Sequence, residues 1–148
     1  MEFLSKSTEN TKKLAKQLVP KIKSGSVIAL YGDLGSGKTT FVKYLVEALG
    51  SKARIQSPTF VLIKTYKIMS KKIQMVNHID LYRIENIEEL KNLGIEELIK
   101  EPKSVTLIEW PKIAEKILPV NTIKIYFEYV GENTRKISCE ELNVQNIY

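Results

Sequence analysis

"LYGDLGSGKTTFVKY", residues 30 to 44, carries Gly32, Gly37, Lys38 and Thr39 at the spacing G-x-x-x-x-G-K-[ST] of a phosphate-binding loop. The chemistry needs these residue types. Glycines let the loop curl so that backbone N–H groups converge on phosphate oxygens, and a helix starting at Lys38 adds its positive end to the same point. In this reading Gly35, Ser36 and Gly37 form the cradle and Lys38 reaches the β- and γ-phosphates. The Thr39 hydroxyl ligates Mg²⁺, and Thr40 adds a contact to the α-phosphate.

The flanks supply the required context. "SVIALY" (26–31) is a short apolar run of the kind that forms a strand buried on both faces. "KTTFVKYLVEAL" (38–49) reads as a helix stopped by Gly50. Strand, loop and helix in this order separate a phosphate loop from a chance glycine-rich turn.

Working outward, Ser7 and Thr8 are good cap residues for a helix carrying Leu14, Ala15, Leu18 and Val19 on one side and ending near Pro20. "SPTFVLIKTYKI" and "KKIQMVNHIDLYR", separated by the polar turn "MSKK", predict a β-hairpin. "NIEELKNLGIEELIK" (86–100) predicts a helical region bent or broken at Gly94. "SVTLIEW" (104–110) is a second buried strand, and "PKIAEKIL" (111–118) a helix with proline at its first position. "IKIYFEYV" and "RKISCEE" flank the turn "GENT" and predict a second hairpin. The sum is one α/β domain over residues 1–148, a three-layer phosphate-loop NTPase-like fold whose mixed sheet has a parallel centre and antiparallel hairpins.

Composition agrees with a globular chain: 43% of residues are hydrophobic, and no apolar run approaches the roughly 20 residues that span a bilayer. The polar start "MEFLSKSTENTKK" lacks a signal-peptide core, and the lone Cys139 has no internal disulfide partner, so a cytoplasmic protein with no membrane contact is expected. Net charge is +6, but the lysines are scattered along the chain and read first as solvated helix faces. Only Arg54, Arg83 and Arg135 are arginines, the residue best suited to bidentate phosphate contact.

A phosphate-loop site also needs an acid at the end of a neighbouring strand to hold the metal. Glu109 ends "VTLIE", the better buried strand, and Asp80 ends "MVNHID", read as one arm of a hairpin. This favours Glu109 on magnesium, with Asp80 beside it or positioning the attacking water; the reverse assignment stays open. His78 and Asp80 point to one face of a strand and can share the site. Arg83 can pair with Asp80 or contact phosphate, and Tyr82 lies between them in "HIDLYR". "SPTF", with Ser57 and Thr59, offers a proline-stiffened loop able to sense the γ-phosphate.

What the chain lacks narrows the choice. No N-K-x-D sequence is present for guanine, so ATP is the expected nucleotide. Short connections leave little chain for the acceptor site and lid of a small-molecule kinase. That kinase remains one rival; a non-catalytic nucleotide-dependent switch is another.

"GDLGSGKTT", "SPTF", "HIDLYR" and "LIEWP", in this order, resemble the bacterial TsaE family, the ATPase of tRNA threonylcarbamoyladenosine biosynthesis. The likeness runs from about Ser7 to Arg135. It implies slow Mg²⁺-dependent ATP hydrolysis, and action with the threonylcarbamoyl transferase TsaD and its paralogue TsaB rather than transfer itself. By motif it implies that Lys38 and Thr39 bind phosphate and metal, that Glu109 is the other metal ligand, and that Asp80 is catalytically important. Thr8 and Arg135 resemble the family's further nucleotide contacts. Trp110, by itself an ordinary core aromatic, would in such a family couple nucleotide state to a partner. Direct contact with tRNA is left open.

Overall fold

The computed structural model describes residues 1–54 and 62–140. The chain opens with a short strand, β1 (Glu2–Ser5), that the polar N-terminus did not suggest. Helix α1 (Thr8–Leu18) follows, with the Ser7 hydroxyl accepting from Asn10 N at 3.2 Å. It buries Thr11, Leu14, Ala15 and Leu18, one stripe at helical spacing. A 3₁₀ turn at Val19–Lys21, with Pro20 inside it, closes the helix. Strand β2 (Val27–Tyr31) leads into the glycine loop, and α2 (Lys38–Leu49) leaves it. Gly50, in the left-handed region, ends α2 with its N–H on the carbonyls of Val46 and Glu47.

Strands β3 (Ile63–Lys67) and β4 (Met75–Asp80) form the expected first hairpin, with Thr65 opposite Asn77. The helical region beyond them divides at Gly94 into α3 (Ile87–Asn92) and α4 (Ile95–Ile99). Strand β5 (Ser104–Glu109) is buried along its whole length. Pro111–Ile117, expected as an ordinary helix, is instead a 3₁₀ helix; Trp110 before it has φ 56° and ψ 55°, so the chain enters from a left-handed residue. Strands β6 (Ile123–Gly131) and β7 (Thr134–Cys139) make the second hairpin.

The seven strands lie in the order β1-β7-β6-β2-β5-β4-β3. The four central strands, β6, β2, β5 and β4, run parallel, and antiparallel strands finish both sides. Helices α1 and α2 cover one face, where Leu14, Phe41, Leu45, Ile28, Leu30 and Phe127 share a core. Helices α3 and α4 and the 3₁₀ helix cover the other, with Ile79, Leu90, Ile95, Ile108 and Ala114. This is the three-layer arrangement expected.

The topology revises one expectation with consequences for the site. Strand β4 is both a hairpin arm and an inner parallel neighbour of β5, with Asp80 level with Glu109. Strand β5 lies between β2 and β4, and Glu109 is also level with Leu30. Both acids therefore end parallel strands at the edge where the glycine loop begins.

Candidate active site

The glycine loop is fixed from below by β6. Gly32 has φ +150°, and a Cβ there would lie 2.6 Å from the Phe127 carbonyl oxygen and 2.7 Å from Ser36 Oγ. Phe127 in turn meets Phe41 of α2 edge-on, with centroids 5.4 Å apart, a contact worth about 0.5–1.5 kcal/mol beyond its area. So the strand, the loop and the helix after it are locked to one another through a place where no side chain fits. From the side, Arg135 of β7 donates from Nε to the Gly35 carbonyl at 3.2 Å and from a terminal nitrogen to the Gly131 carbonyl at 2.8 Å. It also lies over the Tyr129 ring, 4.5 Å from its centroid.

Above the loop is a cleft of about 420 Å³. Gly35, Ser36, Gly37, Lys38, Thr39 and Thr40 line one side, and Asp80, Tyr82, Arg83, Glu109, Trp110 and Arg135 the others. The motif residues expected to act together are thus together. Thr8 is not among them: it is the exposed first residue of α1. Ser57 and Thr59 lie outside the described residues. Asp33, Leu34 and Leu62 also line the cleft and were passed over in the sequence; Asp33 and Leu34 occupy the variable positions of the loop motif, which carry no residue-type signal.

Glu109 stands between Thr39 and His78. It is 2% exposed, so its carboxylate needs partners. Thr39 donates from Oγ1 to Glu109 Oε1 at 3.0 Å, and His78 Nε2 lies 2.6 Å from Oε2. His78 is fully buried, and its Nδ1 has no hydrogen-bond partner among the described residues. The histidine is therefore oriented by this one bond, with its Nε2 proton toward the carboxylate.

Lys38 is 5% exposed and bonds through Nζ to the carbonyls of Gly32 and Asp33. The same ammonium sits 3.8 Å from the centre of the Trp110 ring, a cation–π contact. Burial lowers the Lys38 pKa, opposed by the charges of Glu109, Asp80 and Asp33. Asp80 is raised by burial, the Tyr82 backbone N–H on Oδ1 at 2.9 Å being the main opposing influence. Tyr82 packs on Trp110 with centroids 4.9 Å apart. Arg83 is exposed and makes no ion pair with Asp80. Trp110, the one non-glycine residue with positive φ among those described, is half-buried between Lys38 and Tyr82.

A hydroxyl and a carboxylate at 3.0 Å, both hard oxygen donors, match what magnesium takes from a protein when phosphates supply other ligands. The buried Ser36 hydroxyl oxygen has no hydrogen-bond partner within the loop.

A mixed sheet with a parallel centre, a glycine loop running from a central strand into a helix, and acids at the ends of the adjacent strand β5 and of β4 beyond it define an α/β domain of the phosphate-loop type. A crystal structure of YdiB from Bacillus subtilis superposes with a TM-score of 0.75 at 29% identity, over 98% of this chain and 87% of that one. Residues 5–137 match the model of the family described as threonylcarbamoyl adenosine biosynthesis protein TsaE. Among relatives named tRNA threonylcarbamoyladenosine biosynthesis protein TsaE, that of Bacillus subtilis is 34% identical over 97% of this chain and 94% of its own length. That of Rickettsia felis is 40% identical over 88% of this chain and 74% of its own. The chain belongs to the TsaE family.

Proposed function

We propose that the protein is a Mg²⁺-dependent ATPase subunit of tRNA threonylcarbamoyladenosine biosynthesis, slow alone and acting in the cytoplasm with a TsaD-like transferase and its TsaB-like paralogue. The observation that carries this reading is the Thr39–Glu109 contact beside Lys38, at the mouth of a glycine loop in a chain of this family.

The residues fit the groups the reading requires. The loop amides and Lys38 would bind the phosphates, and the orphaned Ser36 hydroxyl would gain a partner from an oxygen-rich ligand. Thr39 and Glu109 would hold magnesium, which when bound neutralises charge on the phosphate oxygens. Among the described residues no cluster of three acids, histidines or cysteines could bind a metal by itself. Magnesium here would thus depend on the nucleotide for ligands, as expected of a nucleotide-borne ion. Asp80, raised by burial and tied through Oδ1, is the group suited to orient the attacking water and accept its proton as the bond from the γ-phosphorus to the β,γ-bridging oxygen breaks. Arg135 would steady the loop and contact nucleotide, while Arg83 would add charge at the cleft edge.

Incubation with γ-labelled ATP tests the reaction. The ATPase reading expects free phosphate in wild type and little in Glu109→Ala; label in a metabolite would establish a kinase instead. Tagged Glu109→Ala protein should retain the transferase pair when ATP is present and lose it when ATP is withheld. Failure to recover that pair under either condition would break the assignment to the complex.

A further inference from the structure

The parallel sheet has two ends. The cleft lies where β2, β4 and β5 finish; the segments that enter those strands lie at the other, about 17–20 Å away by strand length. At that far end four stretches, 19–26, 50–54, 67–75 and 100–104, carry nine basic residues and one acid, Glu101. Elsewhere basic and acidic side chains are close to balance.

The stretches touch. Ser24 Oγ donates to the Lys72 carbonyl at 2.9 Å and also contacts the Pro102 carbonyl. Gln74 N donates to the Lys103 carbonyl at 2.8 Å, and Gly25 N to the Ser104 carbonyl at 2.8 Å. The segments carrying Lys23, Lys71, Lys72 and Lys103 are thereby joined by hydrogen bonds of the Ser24 hydroxyl and of the backbone, and all four lysines are exposed. Among the described residues the one lysine–carboxylate ion pair is Lys136 with Glu2, on the far side of the sheet, so these lysines carry unneutralised charge. Next to Lys72 is an open hollow of about 760 Å³ lined by Lys67, Lys71 and two exposed methionines, Met69 and Met75, among others.

We infer that this lysine-rich end, remote from the nucleotide cleft, binds the phosphate backbone of RNA. Clustered unpaired ammonium groups attract a polyphosphate chain and release its counterions on contact. The hollow, with Met69 and Met75 in its lining, suits the face of an unstacked base or a ribose. Eight lysines to one arginine, Arg54, make this mainly a charge contact that positions a backbone without reading its sequence. RNA is the occupant because the family's named pathway modifies tRNA. The inference rests on that membership and not on hydrolysis at the cleft.

Anisotropy of a labelled tRNA transcript tests it, read between about 50 and 200 mM salt. Wild type should bind with Kd of roughly 10⁻⁴–10⁻⁶ M near physiological salt. Lys71→Glu/Lys72→Glu/Lys103→Glu should weaken binding about tenfold or more and reduce the salt slope by about 2–3. The milder triple change to Gln guards against a folding defect and should show the same slope reduction. Lys13→Glu/Lys16→Glu on α1 should stay within about twofold, since those charges lie off the patch. Phosphate release is read in parallel and should be the same in both triple variants as in wild type, so the two proposals fail separately. Absence of wild-type binding at the lowest salt would overturn the inference. So would equal losses in the α1 control, undiminished affinity in the triple variants, or binding to anionic phospholipid vesicles in place of tRNA.

Discussion

His78 Nε2 and Glu109 Oε2 are 2.6 Å apart in the middle of the sheet's end, both shut away from solvent. The pair explains how a carboxylate stays aimed at Thr39 while buried: one oxygen is held by the histidine, leaving the other for the hydroxyl. Removing the partner of a buried charge costs about 1–3 kcal/mol or more. His78→Ala should therefore lower the melting temperature and reduce phosphate release about 10–100-fold, the range typical when the support of a metal ligand is lost. His78→Gln, which keeps an N–H donor, should recover part of both. Calorimetric ATP titration beside the turnover assay separates support from simple collapse, because nucleotide affinity should fall much less than rate. A loss confined to stability would reduce His78 to a core residue.

Gly32 and Gly35 make opposite predictions although both have positive φ and belong to one loop. At Gly32 a methyl group would run into the Phe127 carbonyl at 2.6 Å, and backbone cannot step aside as a flexible side chain can. Around a Cβ added at Gly35 no atom of the described residues lies within 4 Å, so alanine there costs only the left-handed backbone, about 1–2 kcal/mol. Gly32→Ala should unfold the loop and lower the melting temperature well beyond Gly35→Ala. Thermal melts of the two variants decide it; equal shifts would mean that backbone conformation, not the Phe127 contact, sets the requirement.

The loop was legible in the sequence because its elements are contiguous: strand, glycines and helix fall within residues 26–50, and each carries a local signal. The second hairpin and the break at Gly94 were legible for the same reason. Strand β1 was not. Four residues, "EFLS", have too little pattern, and their partner is β7, with Glu2 opposite Ser138. The standing of Asp80 was half visible: the hairpin to β3 is local, but the parallel pairing of β4 with β5 joins segments separated by two helices. The 3₁₀ helix at Pro111–Ile117 is entered from a left-handed residue, Trp110, a conformation that no residue preference announces in a tryptophan. The lysines looked scattered because the segments that carry them meet only in space.

Trp110 is the chain's single tryptophan, and the Lys38 ammonium rests on its ring. A phosphate competing for that ammonium would weaken the contact, so tryptophan emission should change on ATP addition and stay constant in Lys38→Ala. Tyr82 is 54% exposed and packed on the indole, and in the proposed complex it would carry a change at Trp110 outward. Trp110→Ala should then impair phosphate release stimulated by the transferase pair more than ATP affinity measured by calorimetry. Equal loss of both with a lower melting temperature would assign Trp110 to packing.

Asp80 links the site to stability against pH. Burial raises its carboxyl pKa above the ordinary value of 3.8, so the folded state holds this proton more tightly than the unfolded chain does. The sign follows. As pH rises from the unfolded value through the folded one, the folded state loses this advantage, and above it the ionised carboxylate keeps its full burial penalty. Asp80→Asn removes that penalty and retains an oxygen for the Tyr82 N–H, so its melting temperature should exceed that of wild type at neutral pH. The gain should shrink as pH falls toward the unfolded pKa. Over the same range ATP should still bind while phosphate release is lost, because an amide cannot take the proton of the attacking water. Melting curves from acid to neutral pH, paired with calorimetry and turnover, test both halves. A variant less stable than wild type at neutral pH would show that the carboxylate is held by attractions that outweigh its burial, and a variant with intact turnover would move the base elsewhere.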